Sequence, residues 1–476
     1  MRFALLAWLA LPFTSVTAQA PQKPNIILMM ADDLGHGDVG FNGNTEIKTP
    51  HLDAMAAAGI TFTSFHSGQA VCSPTRGSCL SGRHPERYGI WKANVGCLPR
   101  EEITIPALLH EQGYATGHFG KWHLGALTPK TLGKKHGSKH ACFPRWFGYE
   151  EVFATRGSVA LWNPFGPNGE QAATSAEAYY HNDERVLDNI TGDDSRIIVD
   201  RVVPFLKSAA AARKPFFATI WFHTPHKPVV AGPEYKKMYS QLGEKLQNYY
   251  GAITAMDDQV GRLHDTLDRL GLAANTMIWF CSDNGPTGAG TTGGLRAGKR
   301  SLFEGGVRVP AFLVWPGRAK PGRVVDMTCS TLDYLPTVLE LLGLQMPDER
   351  PLDGISLLTM IDGAMTQRPR PLLFRFFRSK NSLKGSPTLA LIDGPYKFYS
   401  NLSESGAEDL LFNLVSDRNE AEDLAASMPE KVAAYRKTLR TFVTSCKHSH
   451  DGGDYGKQGF EPVNAWRVGD GGWAKK

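Results

Sequence analysis

Two short apolar runs that end abruptly in carboxylate and amide side chains constrain this chain most. Asn25 to Met30 runs straight into Ala31-Asp32-Asp33, and Thr276 to Phe280 into Cys281-Ser282-Asp283-Asn284. A run that is apolar at successive positions, rather than at alternate ones, belongs to a strand covered on both faces, as in parallel sheets with helices above and below. Open sheets of that kind take ligands beyond the carboxyl ends of their strands. The two acidic ends are therefore expected at a ligand site. Pro215 to Phe222 is a third such run, ending in His223-Thr224-Pro225-His226-Lys227-Pro228, and the shorter Tyr114 to Phe119 delivers Lys121 and His123.

Helical segments separate these strands. Thr49 reads as an N-cap with Pro50 at the first helical position and Gly59 as the stop; Ile103 to Gln112, Ser195 to Ala212, Leu246 to Leu270 and Leu332 to Leu342 also read as helices. Ile60 to Phe65 and Ala311 to Trp315 add strands. The expected fold class is α/β, with a large central, mostly parallel sheet flanked by helices. Around Ile361 to Pro371 the composition turns to Gly, Pro and Arg, marking a boundary. Beyond it come strand-like pieces at Pro371 to Phe377, Leu389 to Ile392, Lys397 to Ser400 and Asp409 to Asn413, then a helix from Pro429 to Val443. Leu127 to Ala141, with Lys130, Lys134, Lys135, His136, Lys139 and His140, reads as a loop, and Phe147 to Gly169 shows no clear periodicity.

A chain of 476 residues, 42% hydrophobic, has room for one large domain and a smaller one. The net charge of +5 is too mild for a nucleic-acid binder, although a basic surface draws anions. Arg2, the apolar run Phe3 to Phe13 and Ala18-Gln19-Ala20 form the pattern of a secretory signal over residues 1–20. No later stretch approaches the ~20 apolar residues of a membrane span. The expectation is an exported protein, periplasmic or secreted, with no membrane span. Of seven cysteines in such a chain, removal of Cys72 leaves an even set that allows up to three bridges, in pairings the sequence does not specify.

Cys72-Ser73-Pro74-Thr75-Arg76 is unusual local chemistry. Pro74 fits the first position of a helix, which puts Cys72 at the positive end of the helix dipole. A disulfide cysteine at a helix start is the plainer reading. Asp32, Asp33, Asp283 and Asn284 offer carboxylate and amide oxygens, a hard donor set that suits Ca2+ or Mg2+ far better than zinc.

The cysteine motif, taken with Ala31-Asp32-Asp33-Leu34-Gly35, Gly113 to Gly125 and Lys299 to Pro310, resembles the formylglycine-dependent (type I) sulfatases of the alkaline phosphatase superfamily. The likeness runs in order from about Pro24 to about Leu424. It implies an alkaline phosphatase-like catalytic domain over 21–365, a C-terminal subdomain over 366–450 with a small antiparallel sheet and one helix, and an irregular Gly-rich tail over 451–476. It also implies that a separate formylglycine-generating, sulfatase-maturing enzyme oxidises Cys72 to Cα-formylglycine. Asp32, Asp33, Asp283 and Asn284 would hold calcium, magnesium being the alternative, with an oxygen of the modified Cys72 facing the ion. The aldehyde hydrate would attack sulfur through one hydroxyl and expel sulfate through the other.

On the same resemblance Arg76 holds an oxyanion, and Lys121, Lys299 and His226 grip the sulfate oxygens. His226 also protonates the leaving alcohol, and His123 is the base that assists sulfate release. His223 stays open between a core histidine and a site residue. Export and the basic, Trp-containing stretch from Lys130 to Trp162, with Arg156 and Asn163 in the region that commonly shapes the cleft of sulfatases, suit a sulfated glycan. Two other readings stand beside this one: a phosphonate or phosphate ester hydrolase of the same superfamily, and a silent, calcium-stabilised carbohydrate-binding protein in which Cys72 stays a thiol.

Overall fold

A ten-stranded sheet runs through the larger part of the computed structural model, in the spatial order 323–325, 60–62, 311–314, 276–282, 25–31, 216–221, 115–121, 151–155, 180–181 and 184–185. The structure describes residues 23–132, 141–175, 177–377, 388–403, 408–456, 460–462 and 466. The expected signal peptide, the basic run Lys134 to His140 and most of the Gly-rich tail lie outside them.

The five adjacent strands from 276–282 to 151–155 are parallel, so their carboxyl ends share one edge. Their sequences read as apolar runs because both faces are covered: every residue of Asn25–Ala31, Phe216–Trp221 and Thr276–Ser282 is buried. Helices Pro50–Ala57, Asp194–Ala212 and Glu244–Arg269 pack together, and Cys72–Ser81, Ile105–Glu111 and Tyr334–Leu342 form a second group. Trp279 stacks on Phe62, ring centroids 5.6 Å apart, and meets Tyr334 at 5.1 Å, while its neighbour Phe280 stacks on Phe312 at 5.1 Å.

Several expectations change. Ile60 to Phe65 is not one strand: Ile60–Phe62 joins the large sheet and Phe65–His66 pairs with Cys329–Ser330, because the partner segment leaves the main sheet between Val325 and Cys329. The aperiodic region after Phe147 holds a strand, Glu151–Thr155, whose buried faces leave no alternation to read. The motif helix is Cys72–Ser81, two residues earlier than Pro74 indicated. Proline fits there because the first-turn N–H groups have no intrahelical acceptor. All seven cysteines are buried free thiols, packed as small apolar side chains instead of bridged.

The C-terminal sheet is an antiparallel meander of Leu372–Phe376, Thr388–Asp393, Tyr396–Ser400 and Leu410–Asn413. Its alternate side chains serve two cores. Leu389, Leu391, Phe398 and Leu411 pack on Leu439 and Phe442 of helix Pro429–His450. Phe374, Ala390, Ile392 and Phe412 pack on Ala70, Val71, Leu302 and Phe303, the segments that carry Cys72 and Lys299. The small sheet thus buttresses these two segments from behind.

Candidate active site

Each of the parallel strands hands a polar group to the shared edge. Asp32 and Asp33 follow the Asn25–Ala31 strand, with Asp32 N–H donating to Thr224 O at 2.9 Å and Asp33 N–H to Asp283 Oδ1 at 3.2 Å. Asp33 adopts a left-handed backbone (φ 66°), which Asp tolerates better than most residues, and this turns the chain sharply at the strand end. Ser282 Oγ accepts Leu34 N–H at 3.0 Å and ties the two acidic turns together. Gly285 lies so close to the chain at Gly305 that a Cβ there would come within 1.9 Å of its carbonyl. That approach brings the loop carrying Lys299 against Asp283 and Asn284.

Cys72 begins its helix in the middle of these groups, with Sγ 3.6 Å from Asp32 Oδ1 and 3.2 Å from Lys299 Nζ. Arg76, one helical turn on, is fully buried: its Nη2 reaches Asp283 Oδ2 at 2.7 Å and Asp32 Oδ2 at 3.4 Å, and its Nη1 donates to Lys121 O at 3.0 Å. Its guanidinium also lies 5.2 Å above the Trp221 ring. Lys121 Nζ meets Asp32 at 2.5 Å, and Lys299 Nζ pairs with Asp33. Ligand atoms of Asp32, Asp33, Cys72 and His226 all fall within 4.8 Å of one another.

These groups fit a hard cation. Asn284 donates its amide N–H groups to Asp33 Oδ1 at 2.8 Å and Gly285 O at 2.9 Å, while its buried Oδ1 has no hydrogen-bond partner among the described residues. Asp283 is more committed to the protein than the other expected ligands, since Oδ1 accepts Asp33 N–H and Oδ2 faces Arg76. Burial and the Asp32 carboxylate push Asp283 up to about 7 against the pull of Arg76, the response of carboxylates too crowded to ionise together. Burial works the same way on Asp32, but Lys121, His226, Arg76 and Lys299 hold it well below the usual carboxylate range.

Burial pushes the Cys72 thiol up to about 12, although Lys121 and Lys299 oppose it. As a thiol it is therefore protonated at neutral pH, and a poor nucleophile.

The two site histidines are oriented by oxygens that only accept. His123 donates Nε2–H to Asn94 Oδ1 at 2.9 Å, which leaves Nδ1 as the bare nitrogen, buried and without a partner among the described residues. Burial, Lys121 and Arg76 hold His123 well below its ordinary pKa, so the ring is neutral. His226 donates Nδ1–H to Lys227 O at 2.7 Å and turns Nε2 toward Asp33 Oδ2, 3.8 Å away. Burial lowers its pKa while Asp32 and Asp33 pull the other way.

His223 is a core residue, tied through Nδ1 to Asp194 at 2.8 Å and through Nε2 to Thr155 Oγ1 at 2.7 Å. Lys130 pairs with Glu184 at 2.6 Å on the surface, and Arg156 pairs with Glu177. Asn163 accepts Gly192 N–H at 2.6 Å, and the Trp162 ring crowds Gly232. The structure adds partners that no motif marked: Asn94 on His123, Asp194 on His223, and Thr287, whose hydroxyl reaches Asp33 Oδ2 at 3.4 Å. Asn94 had one local signal, the Asn-Val-Gly turn in which it takes φ 62°.

A mostly parallel sheet with acidic strand ends, a buried motif helix and a small C-terminal antiparallel sheet defines an alkaline phosphatase-like α/β enzyme. The sulfatase family model matches residues 24–344, and the model described as N-sulphoglucosamine sulphohydrolase, C-terminal, matches 296–446. The chain is 34% identical to N-acetylgalactosamine-6-sulfatase of Mus musculus over 411 residues, 80% of this chain and 73% of that one. It is 31% identical to arylsulfatase A of Bos taurus over 458 residues, 86% and 85% of the two chains. The crystal structure of Ps i-CgsB in complex with k-i-k-neocarrahexaose superposes with a TM-score of 0.79 at 29% identity, covering 89% of this chain and 93% of that one. The chain belongs to the type I sulfatase family, and it is a sulfuric ester hydrolase. Among the described residues no helix is long and apolar enough to cross a membrane.

Proposed function

We propose that this enzyme removes sulfate from an extracellular sulfated carbohydrate, using Cα-formylglycine made from Cys72 by a maturing enzyme and a calcium ion held by Asp32, Asp33, Asp283, Asn284 and the modified side chain. The observation that carries the reading is the setting of Cys72: a buried thiol pushed up to about 12, poorly reactive as it stands, yet ringed by Lys299, Asp32 and the Arg76–Asp283 pair. The bare Oδ1 of Asn284 supports the cation. Calcium and the hydrated aldehyde, when present, supply an acidified hydroxyl as the nucleophile.

The chain's own residues do the rest. Lys121 and Lys299 place ammonium groups beside Asp32 and Asp33, where an incoming sulfate would exchange carboxylate contacts for its own oxygens and gain charge stabilisation as the S–O bond breaks. Arg76, locked by Asp283 and the Lys121 carbonyl, holds the motif helix to both acidic strand ends. His226, with Nδ1–H fixed on Lys227 O, presents Nε2 to the leaving alcohol and, as the imidazolium that Asp32 and Asp33 favour, delivers its Nε2 proton there. His123 is neutral, with Nδ1 free to accept the proton whose loss releases sulfate.

The carbohydrate assignment draws support from the names of relatives, an N-acetylgalactosamine-6-sulfatase and a protein solved with a neocarrahexaose. Sulfate release from defined sulfated oligosaccharides, measured beside cleavage of a phosphonate monoester, tests the reading. Faster turnover of the phosphonate would assign the site to the related hydrolases instead.

A further inference from the structure

A groove of about 440 Å³ opens immediately beside His226, and the catalytic roles above do not use it. Pro228, Val229 and Ala289 give it an apolar wall, Thr287 joins it to the Asp33 carboxylate, and Lys227 and Lys245 stand at its edge. Both ammonium groups come up to Gly288. Lys245 Nζ lies 3.5 Å from its carbonyl, and a Cβ at Gly288 would sit 4.0 Å from Lys227 Nζ.

Among the described residues no carboxylate lines the groove, and neither lysine has an ion-pair partner. Glu244, next in sequence to Lys245, is turned to Lys236 at 3.3 Å. Two exposed cations that both approach Gly288 repel each other, so an anion placed between them is favoured by both. An apolar wall beside paired cations is the chemistry of a pyranose ring that carries a negative substituent.

We infer that this groove is a second anion subsite, in which Lys227 and Lys245 receive a sulfate or carboxylate of the substrate other than the ester being cleaved. The inference rests on the sulfated-glycan reading and narrows it to substrates with at least two anionic groups near each other. Since Lys227 follows His226 and its carbonyl fixes the His226 ring, an anion held there would lie close to the leaving alcohol.

The test uses the matured full-length enzyme turning over 4-nitrophenyl sulfate, with two carrageenan disaccharides as competitive inhibitors that differ only by one sulfate. The disulfated compound should inhibit the wild type about tenfold more tightly than the monosulfated one, each lysine contributing a few-fold as a partly screened ion pair. In the Lys227→Gln/Lys245→Gln variant that ratio should fall to about two. Raising the salt should also lower the wild-type ratio, as for any exposed pairing.

A ratio unchanged by the double substitution overturns the subsite, and so does a wild-type ratio near one or no inhibition by either sugar. Nitrophenyl sulfate turnover separates the two levels of the argument. An enzyme that hydrolyses it but ignores the second sulfate loses only the subsite. A matured enzyme that hydrolyses no sulfate ester loses the functional reading, and the subsite with it.

Discussion

Replacing Lys397 with methionine should loosen the catalytic loop from behind, without touching any group that meets substrate. Lys397 Nζ lies 2.8 Å from Glu304 Oε1 and 2.9 Å from Glu420 Oε1, and all three side chains are fully buried. Glu304 opens a short helix five residues beyond Lys299, and its N–H donates to Glu420 Oε2 at 2.7 Å. Lys397 comes from the C-terminal sheet. Its loss would leave Glu304 with Arg308 at 2.6 Å and His66 at 3.2 Å, and the neighbouring buried Glu420 with the Glu304 N–H at 2.7 Å.

Stripping the cation from such a cluster costs about 3–5 kcal/mol. Unfolding entropy of roughly 2.1 cal/mol/K per residue gives about 1 kcal/mol per kelvin for 476 residues, so Tm should fall by about 3–5 °C if the chain melts as one unit. A C-terminal sheet that melts first would shift further.

The pH dependence follows from Glu304. Burial would raise its pKa, but Lys397 and Arg308 hold it well below 4.5. The stabilisation is therefore complete above about pH 4.5 and lost as pH falls through the lowered value, so the gap between wild type and variant should narrow in acid. Thermal unfolding followed by circular dichroism at pH 7 and pH 4 measures both effects. A Tm within 1 °C of wild type at pH 7 would refute the buttress argument.

Four further outcomes are expected. His226→Ala should cost roughly a hundredfold to ten-thousandfold in kcat on unactivated sugar sulfates and much less on nitrophenyl sulfate, whose phenolate leaves unaided; equal losses on both would reject the acid role. Lys121→Ala and Lys299→Ala should instead lower both rates by similar factors. Chelation should abolish turnover and Ca2+ restore it, and recovery with Zn2+ but neither Ca2+ nor Mg2+ would contradict the oxygen donor set. Asn94→Ala, which removes one hydrogen bond of 2.9 Å from His123, should lower kcat about three- to tenfold with KM little changed, and a purely raised KM would count against a positioning role.

Much of the site could be read before the fold was known, because apolar runs buried on both faces announce where they stop. Asp32, Asp283, Lys121 and His226 all follow such runs, and the parallel sheet brings their ends together. What escaped was whatever depends on the other side of a contact. Glu151–Thr155 is too short and too evenly buried to show a period, and Ile60–Phe65 divides because its partner strand bends away. Asp194 and Asn94 carry no motif of their own and are marked by the histidines they meet, 29 residues away in each case. The cysteines read as bridge candidates because pairing is decided by where Cβ atoms point, which composition does not record.

The central claim is that the reactive group at position 72 is an aldehyde and not the thiol encoded there. Mass spectrometry of the peptide spanning Cys72, with and without a carbonyl-trapping reagent, tests it most directly when read against specific activity. Activity should rise in proportion to the aldehyde-bearing fraction, and thiol-only protein should be inactive. Full activity in a preparation that carries only the thiol would contradict it.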